Sequence, residues 1–214
     1  MRARQSLGKS DSAIYEMVRN ALAERGISGG TLVDVGCGRG QLWSFLCARF
    51  SKYSGVDVVR YEDFPSDAEF TKVDLNNGRI SLPDGSADVV VAVEIIEHLE
   101  NPRAFIREVV RLVRPNGWIL VSTPNQLSLL SLLTLFTKRR FNAFQDVHYP
   151  AHLTALLEVD LLRIAQECGL QDVATVYSKN GRVAFTSVHY PKVFASVFPR
   201  ACSDNLLLIG RKSR

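Results

Sequence analysis

Apolar residues recur along this chain with two distinct periods. Over residues 12–25, Ile14, Met17, Val18, Ala21 and Leu22 share one helical face, and Gly26 marks the stop. The run Leu32-Val33-Asp34-Val35 predicts a buried parallel strand at about 31–36. Gly36, Gly38 and Gly40 follow at alternate positions, and helical spacing then resumes through Leu42, Phe45, Leu46 and Phe50. Further strands are predicted at about 53–58, 69–73, 87–93 and 118–121. Asn101-Pro102 reads as the N-cap and first residue of a helix with Phe105, Ile106, Val109 and Leu112 on one side, ending before Pro115-Asn116-Gly117. A helix over 153–168, stopped by Gly169, and strands near 171–177 and 205–210 complete the series. Five strand-helix alternations predict an α/β fold with parallel winding, and the modest segment between the last two strands suits an antiparallel seventh strand.

Composition narrows the class only a little. The 214 residues, 46% hydrophobic and 22% charged, suit a globular unit with a sizeable core. The net charge of +4 is compatible with nucleic acid or anionic lipid and demands neither. Cys37, Cys47, Cys168 and Cys202 are widely spaced without a C-x-x-C pair, which argues against a zinc knuckle or a disulfide framework and fits a reducing cytoplasm. The first ten residues are basic but lack the apolar core of a secretory signal. The longest apolar run, 127–136, falls far short of the roughly 20 residues a membrane-spanning helix needs.

The chemistry concentrates at the strand ends. Glycines at 36, 38 and 40 remove side chains that would block backbone approach to a ligand, yet the spacing is not G-x-G-x-x-G and no Lys-Ser or Lys-Thr pair makes a phosphate loop. Asp57, ending the second strand, suits the two hydroxyls of a ribose, or is a solvated strand-end carboxylate. Asp74, before Asn76-Asn77-Gly78, either accepts from a ligand amine or caps that turn.

Taken together, Asp34-Val-Gly-Cys-Gly-Arg-Gly40, Asp57, Asp74-Leu75, Glu94-Ile-Ile-Glu97-His98 and the stretch Leu112 to Asn125 resemble the class I S-adenosylmethionine-dependent methyltransferases over roughly residues 30–125. Within that class the chain is similar to the ubiquinone-pathway O-methyltransferases and the type 11 and type 23 methyltransferase domains. The resemblance implies a Rossmann-like, seven-stranded, mostly parallel sheet with helices on both faces and an antiparallel last strand. It implies a packing or lid helix over 1–29, a methyltransferase domain over 30–214 and an insertion at 126–153. It also implies cofactor contacts from Asp34, Gly36, Cys37, Gly38 and Gly40, from Asp57, Val58, Asp74 and Leu75, and from Val93 and Glu94. S-adenosylmethionine would be the cofactor and S-adenosylhomocysteine the product.

A sulfonium methyl is already electrophilic, so such an enzyme mainly aligns acceptor and methyl. A hydroxyl acceptor must also lose a proton, which calls for a base or a metal. Glu97, His98 and His148 are the catalytic candidates. If the chain turns helically after the fourth strand, Glu94, Glu97 and His98 share a face and suit Mg²⁺, Mn²⁺ or Zn²⁺, with His148 or His152 completing the set. The same letters also suit Glu94 steadying the loop and His98 packing before the Asn101 cap. Related Glu-x-x-Glu-His sets bind a metal in some ubiquinone-pathway enzymes and small-RNA 2′-O-methyltransferases.

The stretch 127–144 joins leucines and Phe136 to Lys138-Arg139-Arg140. It reads as a surface for an anionic bilayer or lipid-like acceptor at the inner membrane face, or as a lid or homodimer contact. A small-molecule, saccharide or lipid-like acceptor is the expected partner. RNA ranks second because the basic residues are scattered without aromatic interleaving, and a non-catalytic partner subunit is disfavoured by the intact loop.

Overall fold

The computed structural model describes residues 8–184 and 186–214, so part of the N-terminal stretch read for a signal lies outside the described residues. The elements are α1 (Ser12–Glu24), β1 (Thr31–Val35), α2 (Gln41–Leu46), β2 (Lys52–Asp57), β3 (Glu69–Lys72), β4 (Ala87–Ala92) and α3 (Pro102–Leu112). They continue with β5 (Val113–Pro124), α4 (Leu129–Lys138), α5 (Glu158–Glu167), β6 (Leu170–Tyr177), α6 (Lys192–Val197) and β7 (Asn205–Lys212).

One seven-stranded sheet carries them in the order β3-β2-β1-β4-β5-β7-β6. Strands β1 to β5 pair in parallel, and β7 inserts antiparallel between β5 and β6. The winding reverses between β1 and β4, which opens a crevice at the carboxyl ends of those strands.

Alternation along the strands builds a core on each face. Val33, Val35, Val90 and Ile119 pack with α3 and α5, while Leu32, Val89, Val91 and Leu120 pack with α1 and α2. Each fully buried Val, Leu or Ile contributes about 1.5–3 kcal/mol. Helix α1 buries Ile14, Met17, Val18, Ala21 and Leu22, the predicted face, together with Tyr15. Asn101 caps α3 by accepting from the Ala104 N–H at 2.9 Å, with Pro102 following as its spacing predicts.

Two boundaries differ from expectation. Helix α5 begins at Glu158 rather than 153, because the Leu153 and Thr154 N–H groups donate to the Glu97 carbonyl (2.8 and 3.0 Å) and hold that segment extended. Strand β5 begins at Val113 rather than 118: Asn116 takes a left-handed φ of 63°, and a register shift between Ala87 and Val89 lets pairing with β4 pass Pro115-Asn116-Gly117. No helix among the described residues is long and apolar enough to cross a membrane.

At the end of β5, Asn125 fastens the returning chain. Its amide donates to the carbonyls of Arg200 (2.7 Å) and Ser203 (2.8 Å), and its Oδ1 accepts from the Leu127 N–H (3.0 Å). The residue is buried, so Asn125→Ala strands three polar groups. We expect a loss of about 2–4 kcal/mol in urea unfolding; an unchanged midpoint would contradict this role.

Candidate active site

The glycine turn after β1 is fixed by the neighbouring strand. Gly36 and Cys37 N–H groups both donate to the Val56 carbonyl (2.7 and 3.2 Å), and the Gly38 N–H donates to Asp57 Oδ2 (2.9 Å). Gly36 and Gly38 have φ of 80° and 51°, and a Cβ on Gly38 would lie 2.4 Å from the Gly8 carbonyl oxygen. Glycine is therefore required by conformation and by space. The turn forms one wall of a cavity of about 770 Å³ at the β1/β4 crevice, within the range of small-molecule sites.

Every predicted cofactor contact except Gly40 lines this cavity, as do Glu97, His98 and His148. Gly40 instead precedes α2 with φ of 75°, backed by Pro65 and Phe64, so its role is to turn the chain. Asp57 Oδ1 also accepts from the Val59 N–H at 3.1 Å. Asp74 does cap its turn, accepting from the Asn76 N–H and the Asn77 amide at 3.0 Å each, while its residue still borders the cavity.

Two buried carboxyls and the half-buried Glu94 are held here by neutral donors. Asp34 accepts from the Tyr53 hydroxyl at 2.7 Å, and burial pushes its pKa up to about 7. Glu94 accepts from Ser122 Oγ (2.9 Å) and the Asn205 amide (2.8 Å), and burial likewise pushes it up to about 7. Glu97 has no exposed surface; Oε2 accepts from Thr123 at 3.2 Å, Oε1 has no hydrogen-bond partner, and burial with the nearby Glu94 holds its pKa well above the usual carboxylate range.

The predicted convergence of Glu94 with Glu97 and His98 requires correction. Glu94 adopts a left-handed φ of 50° and turns to Ser122 and Asn205, and the helical turn covers only Ile96–His98. The structure assembles Glu97, His98 and His152, whose ligand-capable atoms all lie within 4.8 Å of one another. His98 Nδ1 faces the Ala151 carbonyl (2.9 Å) and His152 Nδ1 faces the Ala143 carbonyl (2.6 Å). His152 therefore carries its proton on Nδ1, whereas the His98 ring meets two backbone groups, at Ala151 and at Glu94. Burial lowers the pKa of all three histidines, that of His152 to about 4, so the imidazoles are neutral at pH 7. His148 stacks on His152 with ring centroids 5.3 Å apart rather than joining the ligand set.

Several lining residues escaped sequence reading. Ser10, from the segment leading into α1, and Ile14 and Tyr15, from its first turn, border the cavity. Ser122 and Thr123 merely closed a strand in the sequence, and Asn205 lies 111 residues from the Glu94 it contacts, so no local signal marks it.

A methyltransferase domain family matches residues 11–175. The chain is 32% identical over 163 residues to a Mycolicibacterium smegmatis protein named as a probable S-adenosylmethionine-dependent methyltransferase, covering 73% of this chain and 60% of that protein. It is 32% identical over 117 residues to the ubiquinone biosynthesis O-methyltransferase of Pseudomonas paraeruginosa, half of each chain. The chain thus spans only half to three fifths of these curated relatives. Among solved structures, a SAM-dependent methyltransferase from Archaeoglobus fulgidus aligns with TM-score 0.60 at 20% identity, covering 92% of this chain and 94% of that one. The Burkholderia thailandensis 1,6-didemethyltoxoflavin-N1-methyltransferase aligns with TM-score 0.64 at 14% identity, covering 95% and 80%. At these identities the structural likeness speaks for the fold.

The Asp34–Tyr53 pair carries a signed pH dependence. Because the folded pKa of about 7 exceeds the ordinary carboxylate value, Asp34's contribution to stability is greatest at low pH and is lost as pH rises from about 4 to 7. Tyr53→Phe removes the donor that favours the carboxylate, so the Asp34 titration should move further up. The variant should lose about 1–2 kcal/mol more stability at pH 8 than at pH 5. Carboxyl-carbon NMR and paired urea titrations check both, and equal losses at the two pH values would exclude the pairing as the cause.

Proposed function

The chain belongs to the S-adenosylmethionine-dependent methyltransferase-domain family, and from that premise we propose that it methylates a hydroxyl of a small-molecule, saccharide or lipid-like acceptor. The carrying observation is that Glu97, His98 and His152 converge in the same cavity as the glycine turn.

The residues present fit the cofactor. The glycines leave backbone bare where a nucleoside must approach, and buried Asp34 and half-buried Glu94 have only neutral partners among their hydrogen bonds, an environment that a sulfonium and an ammonium complement. When bound, the cofactor supplies a methyl group already activated for in-line transfer. Asp57 uses one acceptor site on each oxygen for Gly38 and Val59 and keeps capacity for two ribose hydroxyls. The rim at Asp74 and Leu75 would receive the adenine end.

At the acceptor end His98, in the tautomer that keeps its proton on Nδ1 toward Ala151, would use Nε2 to accept the proton of the acceptor hydroxyl. A second reading follows from the partnerless Glu97 Oε1 and from the approach of one ligand atom each of Glu97, His98 and His152 to within 4.8 Å of one another. Glu97, His98 and His152 would hold a divalent cation, which would lower the pKa of the acceptor hydroxyl. Two imidazoles and one carboxylate favour Mn²⁺ or Zn²⁺ over Mg²⁺.

The test is thermal-shift titration with S-adenosylmethionine and S-adenosylhomocysteine, then methyl-transfer assays on hydroxyl acceptors. Both ligands should raise the melting temperature, and Asp57→Ala should weaken them about ten-fold or more. His98→Ala should lower kcat about 10²-fold or more with cofactor affinity retained. Methylation confined to nitrogen or carbon acceptors would overturn the hydroxyl reading. Calorimetric titration with Mg²⁺, Mn²⁺ and Zn²⁺ separates the two versions: no heat and no effect of chelator remove the metal.

A further inference from the structure

Exposed apolar side chains are distributed one-sidedly in this protein. Twelve large hydrophobic residues are exposed among those described, and all lie between Leu129 and Phe198. Eleven of the twelve fall in two excursions, 126–153 after β5 and 178–203 after β6. Strand β6 is antiparallel to β7, which is antiparallel to β5, so both excursions leave the sheet at its carboxyl edge, the edge that carries the cavity.

Helix α4 is amphipathic in the inverted sense. The positions it buries are Ser131 and Thr134, while Leu129, Leu132, Leu135 and Phe136 face outward, Phe136 at 87% exposure. The buried hydroxyls are satisfied locally: Ser131 Oγ accepts from the Asn142 N–H at 3.2 Å and Thr134 donates to the Leu130 carbonyl at 2.7 Å. This orientation is therefore not a helix awaiting rotation. Short α6 does the same, burying Ala195 and exposing Val193, Phe194, Val197 and Phe198. The two segments are tied together by the Leu129 N–H, which donates to the Ala201 carbonyl at 2.9 Å, and by Asn125.

Charge identifies what covers this face. Residues 126–153 carry Lys138, Arg139 and Arg140, the last paired with Asp146, and residues 178–203 carry Lys179, Arg182, Lys192 and Arg200, of which Arg182 pairs with Asp204 and Arg200 with Glu158. Three of these seven cations are neutralised by their ion pairs, which leaves an excess of four positive charges, Lys138, Arg139, Lys179 and Lys192. A second copy of the chain docked through this face would bring two such excesses together. An anionic bilayer complements both the apolar side chains and the cations around them.

We propose that α4 and the 178–203 excursion together form one docking surface for an anionic lipid membrane, lying on the bilayer without crossing it. This extends the contact expected of 127–144 to a second, sequence-distant segment, and it does not rest on the chemistry assigned to the cavity.

Flotation of the full chain with phosphatidylcholine vesicles, with and without phosphatidylglycerol, tests it. The protein should float with the anionic vesicles and remain behind with the neutral ones. Phe136→Ser and the pair Phe194→Ser/Phe198→Ser should each weaken binding about ten-fold or more, the effect of withdrawing one or two phenyl rings from lipid. Lys138→Glu/Lys192→Glu should do likewise without touching the apolar face. Unchanged melting temperature and cofactor affinity verify that each variant folds and keep this result separate from that of the methylation assays. Equal binding to both vesicle types, or anionic binding that survives the α6 pair, would overturn the proposal. So would a salt-sensitive association with RNA or a dimer in solution that is disrupted by the same phenylalanine substitutions while vesicles are ignored.

Discussion

Three backbone N–H groups of the glycine turn end on two residues of the next strand: Gly36 and Cys37 on the Val56 carbonyl, Gly38 on the Asp57 carboxylate. The site depends on that pinning. It holds the turn in left-handed backbone, brings the segment at Gly8 against it, and aims β1 into the crevice where the sheet reverses direction. Without it Asp57 would be one more solvated strand-end carboxylate. With it, Asp57 shapes the loop and borders the cavity at once.

The electrostatics of the cavity follow from what surrounds its acids. Asp34, Glu94 and Glu97 are held by a phenol, hydroxyls and an amide, so burial raises each pKa without a compensating cation. Neutral donors lower the penalty only in part. A cationic ligand would re-ionise such groups, and its binding would then release protons near neutral pH. Meanwhile the histidines are kept neutral by burial, which preserves lone pairs where a proton or a cation has to be received. One cavity thereby presents an end suited to positive charge and an end suited to proton transfer.

Much of this was legible in the sequence wherever the cause was local. Strand β1, the three glycines, Asp57 and the Asn101-Pro102 start of α3 each depend on neighbours within a few residues, and each stands where periodicity and capping predict. Legibility failed where distant chain decided the outcome. Glu94 left the expected helical face because Ser122 and Asn205 offered hydrogen bonds across the sheet. The sequence offered both His148 and His152 to Glu97 and His98, and the fold selects His152 because Leu153 and Thr154 bond to the Glu97 carbonyl, the same contact that delayed α5. Hydropathy flagged 127–136 as apolar, but only the fold reveals that its serine and threonine point inward.

That inversion bears on the acceptor end of the cavity. The excursion that exposes Phe136 also supplies Val147 and His148, which line the cavity, and Val147 is itself 81% exposed at its rim. From the outward face of α4 a short chain of bonds leads inward: Ser131 holds the Asn142 N–H, and the next residue, Ala143, accepts from His152 Nδ1. The ring of His152 then meets His98 edge-on, with centroids 4.7 Å apart. Helix α4 and His152 thus grip adjacent residues of one short segment, Asn142 and Ala143. The outward-facing apolar helix and the inward-facing imidazole are therefore fixed to the same short stretch of chain, whose continuation supplies Val147 and His148 to the cavity wall.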